Sequence, residues 1–192
     1  ISSQITRVGI LGLGLIGGSL ARAFREKAKI PYIVAVDTDR ASGARALAEG
    51  VIHAFSTPDE GYAIFVGCDL VLLCTPLPII MKNLPELEKY SIGIISDVGS
   101  VKKPVMDAVK LPNFIGGHPM AGSERQGFSC SNASLFENAM YVLCVDETCM
   151  VTASMLQEFE DVIHAIGATP VRMKPEEHDR RVAAVSHLPH VA

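Results

Sequence analysis

An open, doubly wound α/β sheet with mostly parallel strands is the fold class this sequence predicts, on three observations. The first is the stretch Arg7 to Ser19, RVGILGLGLIGGS, in which an apolar run turns through glycines into a helix. The second is the nearly continuous apolar run DLVLLCT at Asp69 to Thr75, the pattern of a parallel strand covered on both faces. The third is the alternation of such runs with helix-length amphipathic segments, the order that builds βαβ units.

The first unit carries the most information. Gly12, Gly14 and Gly17 fill the G-x-G-x-x-G spacing of a Rossmann-type turn. Gly12 permits the tight turn, Gly14 lets a pyrophosphate approach bare backbone, and Gly17 lets the helix lie close on the strand. The amides that open the helix, at Leu15 and Ile16 onward, then face the phosphates, where the helix dipole favours negative charge. Ile33 to Val36 form a second apolar run that ends in Asp37, placed to meet the ribose hydroxyls of an adenosine. The expected cofactor is NAD. Asp37 would repel a 2'-phosphate, and among its neighbours only Arg40 could compensate. A glycine turn that serves the chain connection alone is the bland alternative.

The remaining elements follow in βαβα order throughout. Asp39 to Glu49 reads as a helix stopped by Gly50, and Ile52 to Phe55 as a short strand. Leu77 to Tyr90 is the helix after the DLVLLCT strand, Ile92 to Asp97 the next strand, Val101 to Val109 a helix, and Phe114 to His118 a strand. Met140 to Val145 is another strand, Val151 to Ile166 an amphipathic helix stopped by Gly167, and Thr169 to Met173 a last strand. Pro119 to Asn138 is a long irregular stretch, and loops of that length in compact domains are usually functional. Residues 1–173 are thus read as a dinucleotide-binding domain. From Pro175 a helix begins in good order and runs in an apolar pattern to Ala192, so residues 174–192 are expected to start a C-terminal helical domain.

Composition excludes several classes. A net charge of -4 without a basic run argues against nucleic acid as a partner. No apolar stretch reaches the roughly 18 residues of a membrane span, and no signal-peptide pattern opens the chain, so the cytoplasm is the default expectation. Five cysteines with no C-x-x-C pair suggest neither a disulfide framework nor a zinc cage, and Cys74 and Cys144 read as small core residues.

Polar residues at strand ends are the candidates for chemistry, because this fold gathers them beside the cofactor. Thr75 and Pro76 end one strand, Asp97, Gly99 and Ser100 the next, and His118 the one after, inside GGHPMAGSERQG. A neutral histidine can accept a proton from a hydroxyl, as oxidation of an alcohol requires. A strand-end histidine bonded to backbone is the competing reading. His187 and His190 are spaced i, i+3, but no third ligand is in view and Pro189 intervenes, so no metal is expected. His53, His164 and His178 read as exposed surface histidines, and Asp179, Arg180 and Arg181 as a solvated helix face.

Four motifs, GLGLIGGS at 12–19, DVGSVK at 97–102, GGHPMAGSERQGF at 116–128 and SHLPHVA at 186–192, resemble the prephenate and arogenate dehydrogenases of tyrosine biosynthesis. The likeness runs from about residue 7 to the last residue. It implies NAD-dependent oxidative decarboxylation of prephenate to 4-hydroxyphenylpyruvate, or of arogenate to tyrosine. It also implies that His118 bonds the ring hydroxyl, that Ser100 supports that bond and that Glu124 lies at the pocket mouth. A histidine of the last motif approaches from the next helix, His190 in preference to His187. The family's helical domain forms a homodimer and supplies an arginine for the substrate carboxylate, so residues 1–192 alone are expected to bind NAD and turn over substrate poorly. Two other readings compete. A β-hydroxyacid or imino-acid dehydrogenase would lean on a lysine in the helical region, which Pro175 to Ala192 does not supply. An NAD-sensing domain without turnover would not need the cluster of Ser100, His118 and Glu124.

Overall fold

The computed structural model describes residues 4–186. Eight strands form a single sheet in the order β3-β2-β1-β4-β5-β6-β7-β8. The strands are β1 (Arg7–Leu11), β2 (Tyr32–Val36), β3 (Ala54–Ser56), β4 (Leu70–Leu73), β5 (Ile94–Asp97), β6 (Phe114–Pro119), β7 (Met140–Val145) and β8 (Thr169–Arg172). The helices are α1 (Leu15–Glu26), α2 (Arg40–Ala48), α3 (Leu77–Leu87), α4 (Lys103–Ala108), α5 (Ala153–Ala165) and α6 (Pro175–Ser186).

Alternation along the central strands decides which helices cover which face. Val8, Ile10, Ile33, Ala35, Leu70 and Leu72 point into one core, shared with Leu20 and Phe24 of α1 and Phe159 and Val162 of α5. Leu11, Val34, Val36, Val71 and Leu73 point into the other, with Ile80 and Leu84 of α3 and Val105 and Met106 of α4. Both faces of these strands are therefore apolar, and the period-2 signal disappears into a continuous run, as expected for a covered parallel sheet.

Helix ends follow local chemistry. Asp39 caps α2 by accepting from Ala41 N at 3.0 Å, and Thr152 caps α5 by accepting from Met155 N at 3.2 Å. α3 ends at Leu87, short of the expected Tyr90, because Lys89 and Tyr90 donate to the carbonyls three residues back and tighten the turn. β3 starts two residues later than expected, since Val51 and Ile52 are drawn into the core before pairing begins.

The βαβα order is not kept throughout. β7 runs antiparallel to β6, pairing Gly117 with Leu143 and Pro119 with Tyr141, and no α-helix separates them. β8 is parallel to β7. The long stretch after Pro119 is thus the β6–β7 connection, and it stays at the carboxyl end of the parallel strands. Its later half is anchored: Phe128 is buried under the guanidinium of Arg22, 4.7 Å from the ring centre, and Asn132 N donates to Ser19 Oγ at 3.0 Å. Residues 122–127 before it are exposed.

Candidate active site

The sheet order turns at β1 and β4, and a crevice opens there beyond the carboxyl ends of the strands. Gly12 takes φ +99°, a conformation that L side chains rarely adopt, and its N–H donates to Val36 O at 2.8 Å. A Cβ on Gly17 would stand 1.8 Å from Gly12 O, so helix and turn are in backbone contact. A Cβ on Gly14 would meet nothing within 4 Å. The space in front of that backbone is open. α1 starts there with Gly14 as its N-cap, no side-chain cap and no acidic residue in its first turn, which leaves the amides at Leu15 and Ile16 free to bind an anion.

Asp37 is built into the same turn. Its Oδ2 accepts from Leu13 N at 2.5 Å and its Oδ1 from Asp39 N at 2.8 Å, so the carboxylate is fixed by its own loops. Each oxygen retains a lone pair for a further donor. A cavity of about 270 Å³ is lined by Gly12, Asp37, Thr38, Thr75, Pro76 and Ile79, among others. Thr75 Oγ1 is buried there without a hydrogen-bond partner among the described residues. Arg40, the cation that could have met a 2'-phosphate, is held by Glu60 Oε1 at 3.0 Å.

A second group of residues gathers around the end of β6. His118 is partly buried, and its Nδ1 lies 2.8 Å from Nε2 of His178. The two rings meet edge to face, with centres 5.0 Å apart. His178 is only 1% exposed, and its Nδ1 lies 2.7 Å from Asp179 Oδ1. Asp179 also accepts from Lys102 N at 2.7 Å and Lys103 N at 2.9 Å, which caps α4 from α6. The Lys102 side chain runs inward to an ion pair with Asp97, and both are fully buried. Burial pushes the Lys102 ammonium down, against the pull of Asp97. Asp97 accepts in addition from Gly99 N at 2.9 Å and Gly117 N at 3.0 Å. Burial, helped by His178 and Lys102 and opposed by Asp179, pushes His118 down to about 4. His118 is therefore neutral at physiological pH.

These contacts correct the reading of His178 and Asp179, while Arg180 and Arg181 are exposed as expected. His178 is a buried partner of His118, not an exposed histidine, and Asp179 is a helix cap, not a solvated charge. The EEHDRR pattern gave no periodic sign of this burial, because the partners lie 60 to 77 residues away in sequence. The adjacent His–Asp pair was the one available signal. Lys102 was missed for the same reason. His53 and His164 are exposed as expected. Ser100 follows the end of β5, both it and Glu124 are exposed, and among the described residues neither hydrogen-bonds His118. His187 and His190 lie outside the described residues. No group of three His, Cys, Asp or Glu side chains could hold a metal ion among the described residues. Larger cavities, about 350 and 440 Å³, surround Lys174, the first of them lined also by Lys103.

An α/β sheet whose strand order turns beside free helix amides and a fixed carboxylate defines the class of nucleotide-binding domains. Comparison with known proteins makes the class specific. The family described as "Prephenate dehydrogenase, nucleotide-binding domain" matches residues 20–171, and the chain belongs to that family. A prephenate dehydrogenase of Bacillus subtilis is 34% identical over 190 residues, covering 95% of this chain and 50% of that protein. The prephenate dehydrogenase of A. aeolicus, solved with hydroxyphenyl propionate and NAD+, superimposes with a TM-score of 0.82 at 30% identity, over 96% of this chain and 65% of that one. The arogenate dehydrogenase of Synechocystis does so with a TM-score of 0.80 at 30% identity, over 95% and 65%. This chain thus spans about half the length of the Bacillus relative. No helix among the described residues is long and apolar enough to cross a membrane.

Proposed function

We propose that this chain is the cofactor-binding portion of an NAD-dependent enzyme that oxidatively decarboxylates prephenate or arogenate in tyrosine biosynthesis. The observation that carries the reading is a neutral histidine, His118, placed at the carboxyl end of β6 with one ring nitrogen engaged and the other unbonded among the described residues. The family and the substrates named for its relatives support it. NAD fits the residues present: Gly14 leaves the room a pyrophosphate needs, Leu15 and Ile16 offer free amides, and Asp37, Thr75 and Pro76 border the adenosine-sized cavity.

When bound, the nicotinamide supplies the hydride acceptor. The chain's own part is to place the substrate alcohol and take its proton. As the carbinol carbon is oxidised, its hydroxyl acidifies and His118 accepts the proton. The resulting dienone then loses carbon dioxide, and aromatisation makes the sequence irreversible. Ser100 beside the nicotinamide end, Glu124 at the mouth and His190 complete the proposed pocket. A homodimeric, cytoplasmic protein goes with this reading.

The test is turnover of prephenate and of arogenate with NAD by the full-length protein, with His118→Asn beside it. Turnover of either substrate that collapses in the variant, with NAD binding kept, is expected. Absence of turnover of both would overturn the reading.

A further inference from the structure

We propose that His178 and Asp179 are positioning residues that fix the tautomer of His118, leaving its Nε2 as a bare acceptor for the substrate proton. The inference rests on the role given to His118 above. Its argument rests on a line of three groups.

A carboxylate can only accept hydrogen bonds. Burial opposes ionisation of Asp179, but the N–H groups of Lys102 and Lys103 and the ring of His178 outweigh it and hold its carboxyl below the usual range. The nitrogen that faces it, His178 Nδ1 at 2.7 Å, therefore carries a proton. A neutral His178 then has no proton on Nε2, which must accept. The group facing that nitrogen is His118 Nδ1 at 2.8 Å, so His118 donates from Nδ1. Nε2 of a neutral His118 is then left with a free lone pair. Between two neutral rings, the opposite arrangement would press two lone pairs together at one contact or the other.

Two features make this a built device. His178 is 1% exposed, so solvent cannot substitute for either partner. Asp179 is pinned by both backbone donors at the start of α4, so the carboxylate cannot swing away from the ring. The charged and titratable groups that act on His118 are His178 and Asp179 on α6 and Lys102 just before α4, which Asp97 of β5 holds in an ion pair. Of these, His178 and Lys102 disfavour a proton on Nε2 and Asp179 favours it.

The test uses the full-length protein labelled with 15N-histidine, read by two-bond proton–nitrogen correlations at neutral pH. Signals are assigned by their loss in His118→Asn and His178→Gln. Protonated Nδ1 and bare Nε2 on both rings is the expected result, and a proton on Nε2 of His118 would overturn the proposal. The kinetic arm compares two variants. His178→Leu removes the acceptor and should lower kcat roughly 10- to 100-fold, less than loss of the base itself, with KM and NAD affinity held. His178→Gln offers an amide oxygen to Nδ1 and should restore much of that loss, which a purely packing role would not predict. A His178→Leu enzyme within about twofold of the original kcat would also overturn it. If His178→Leu does not fold, the tautomer of the unmodified protein still decides. Failure of the parent reading looks different: no turnover of either substrate, whatever the tautomer.

Discussion

Lys102 and Asp97 form an ion pair in which neither side chain is exposed to solvent, at the point where β5 gives way to the connection before α4. Asp97 directs its other contacts to the N–H groups of Gly99 and Gly117, and so ties the end of β5 to the residue before His118. The pair holds the ground on which the strand end that carries His118 rests.

Removing one partner should be far worse than its surface counterparts. Lys102→Met leaves a buried carboxylate without its cation and is expected to cost about 3–5 kcal/mol, the range for a broken buried pair. By contrast, Arg181→Ala breaks an exposed i, i+4 pair with Glu177 and should cost at most about 0.5 kcal/mol. Denaturant midpoints of the two variants measure the difference, and similar midpoints would refute the assigned role.

Gly14 and Gly17 sit three residues apart and should fail in different ways. Gly17→Ala drives a Cβ into the backbone oxygen of Gly12, which cannot yield, and should destabilise the domain by about 3 kcal/mol or more. Gly14→Ala has room and an ordinary φ of -76°, so it should fold normally and lose affinity for NAD, because the methyl stands where the pyrophosphate comes. Thermal unfolding and calorimetric NAD binding, measured on both, separate the roles. Unchanged NAD binding in Gly14→Ala would take the phosphates away from this turn.

Cofactor choice should follow Asp37 and Arg40. The unmodified protein is expected to prefer NAD, since Asp37 meets a 2'-phosphate with like charge while Glu60 occupies Arg40. Asp37→Ser should narrow the preference and weaken NAD binding as well, because the Leu13 N–H loses its acceptor. Asp37→Ser combined with Glu60→Gln should move it further towards NADP. Relative binding of the two cofactors is the measurement, and a native preference for NADP would sink the idea.

Acid should act through His118 in two separable ways. Its free value near 6.5 falls to about 4 in the fold, so below about pH 6.5 the unfolded chain takes up a proton that the folded chain refuses. The His118 contribution to stability is complete above that pH and is lost as pH falls towards 4. Catalysis should hold longer. The kcat/KM profile is expected to stay level on its acid side until about pH 5 and to fall through 4, as His118 gains a proton and can no longer accept. A midpoint near 6.5 would show that burial and its neighbours do not control this group.

The cofactor half of the molecule was legible because its signals are local. A glycine spacing, an apolar run and a terminal aspartate lie within one βαβ unit, and their geometry follows from backbone sterics. His118 was legible as a polar residue at a strand end. Its partners were not, since the burial of His178 and Lys102 comes from packing α6 against α4 and β6, and no period in EEHDRR or DVGSVK encodes it. The reversal of β7 leaves no mark in the sequence, because an apolar run has the same appearance in either direction.

That reversal separates two tasks along the chain. A parallel successor to β6 would need its connection to travel back across the sheet, usually as a helix. The antiparallel β7 instead leaves residues 120–139 looped over the end that carries His118, tethered to α1 at Phe128 and Asn132 while 122–127 remain exposed. The tolerance of this segment to change differs from that of the turn at Gly12. Apart from Glu124, length and composition at 122–127 can drift without disturbing a strand, a helix cap or the nucleotide cradle. Divergence among relatives that share one redox core and accept different side chains on their substrates would therefore be expected to accumulate in this roof sooner than in the floor beneath it.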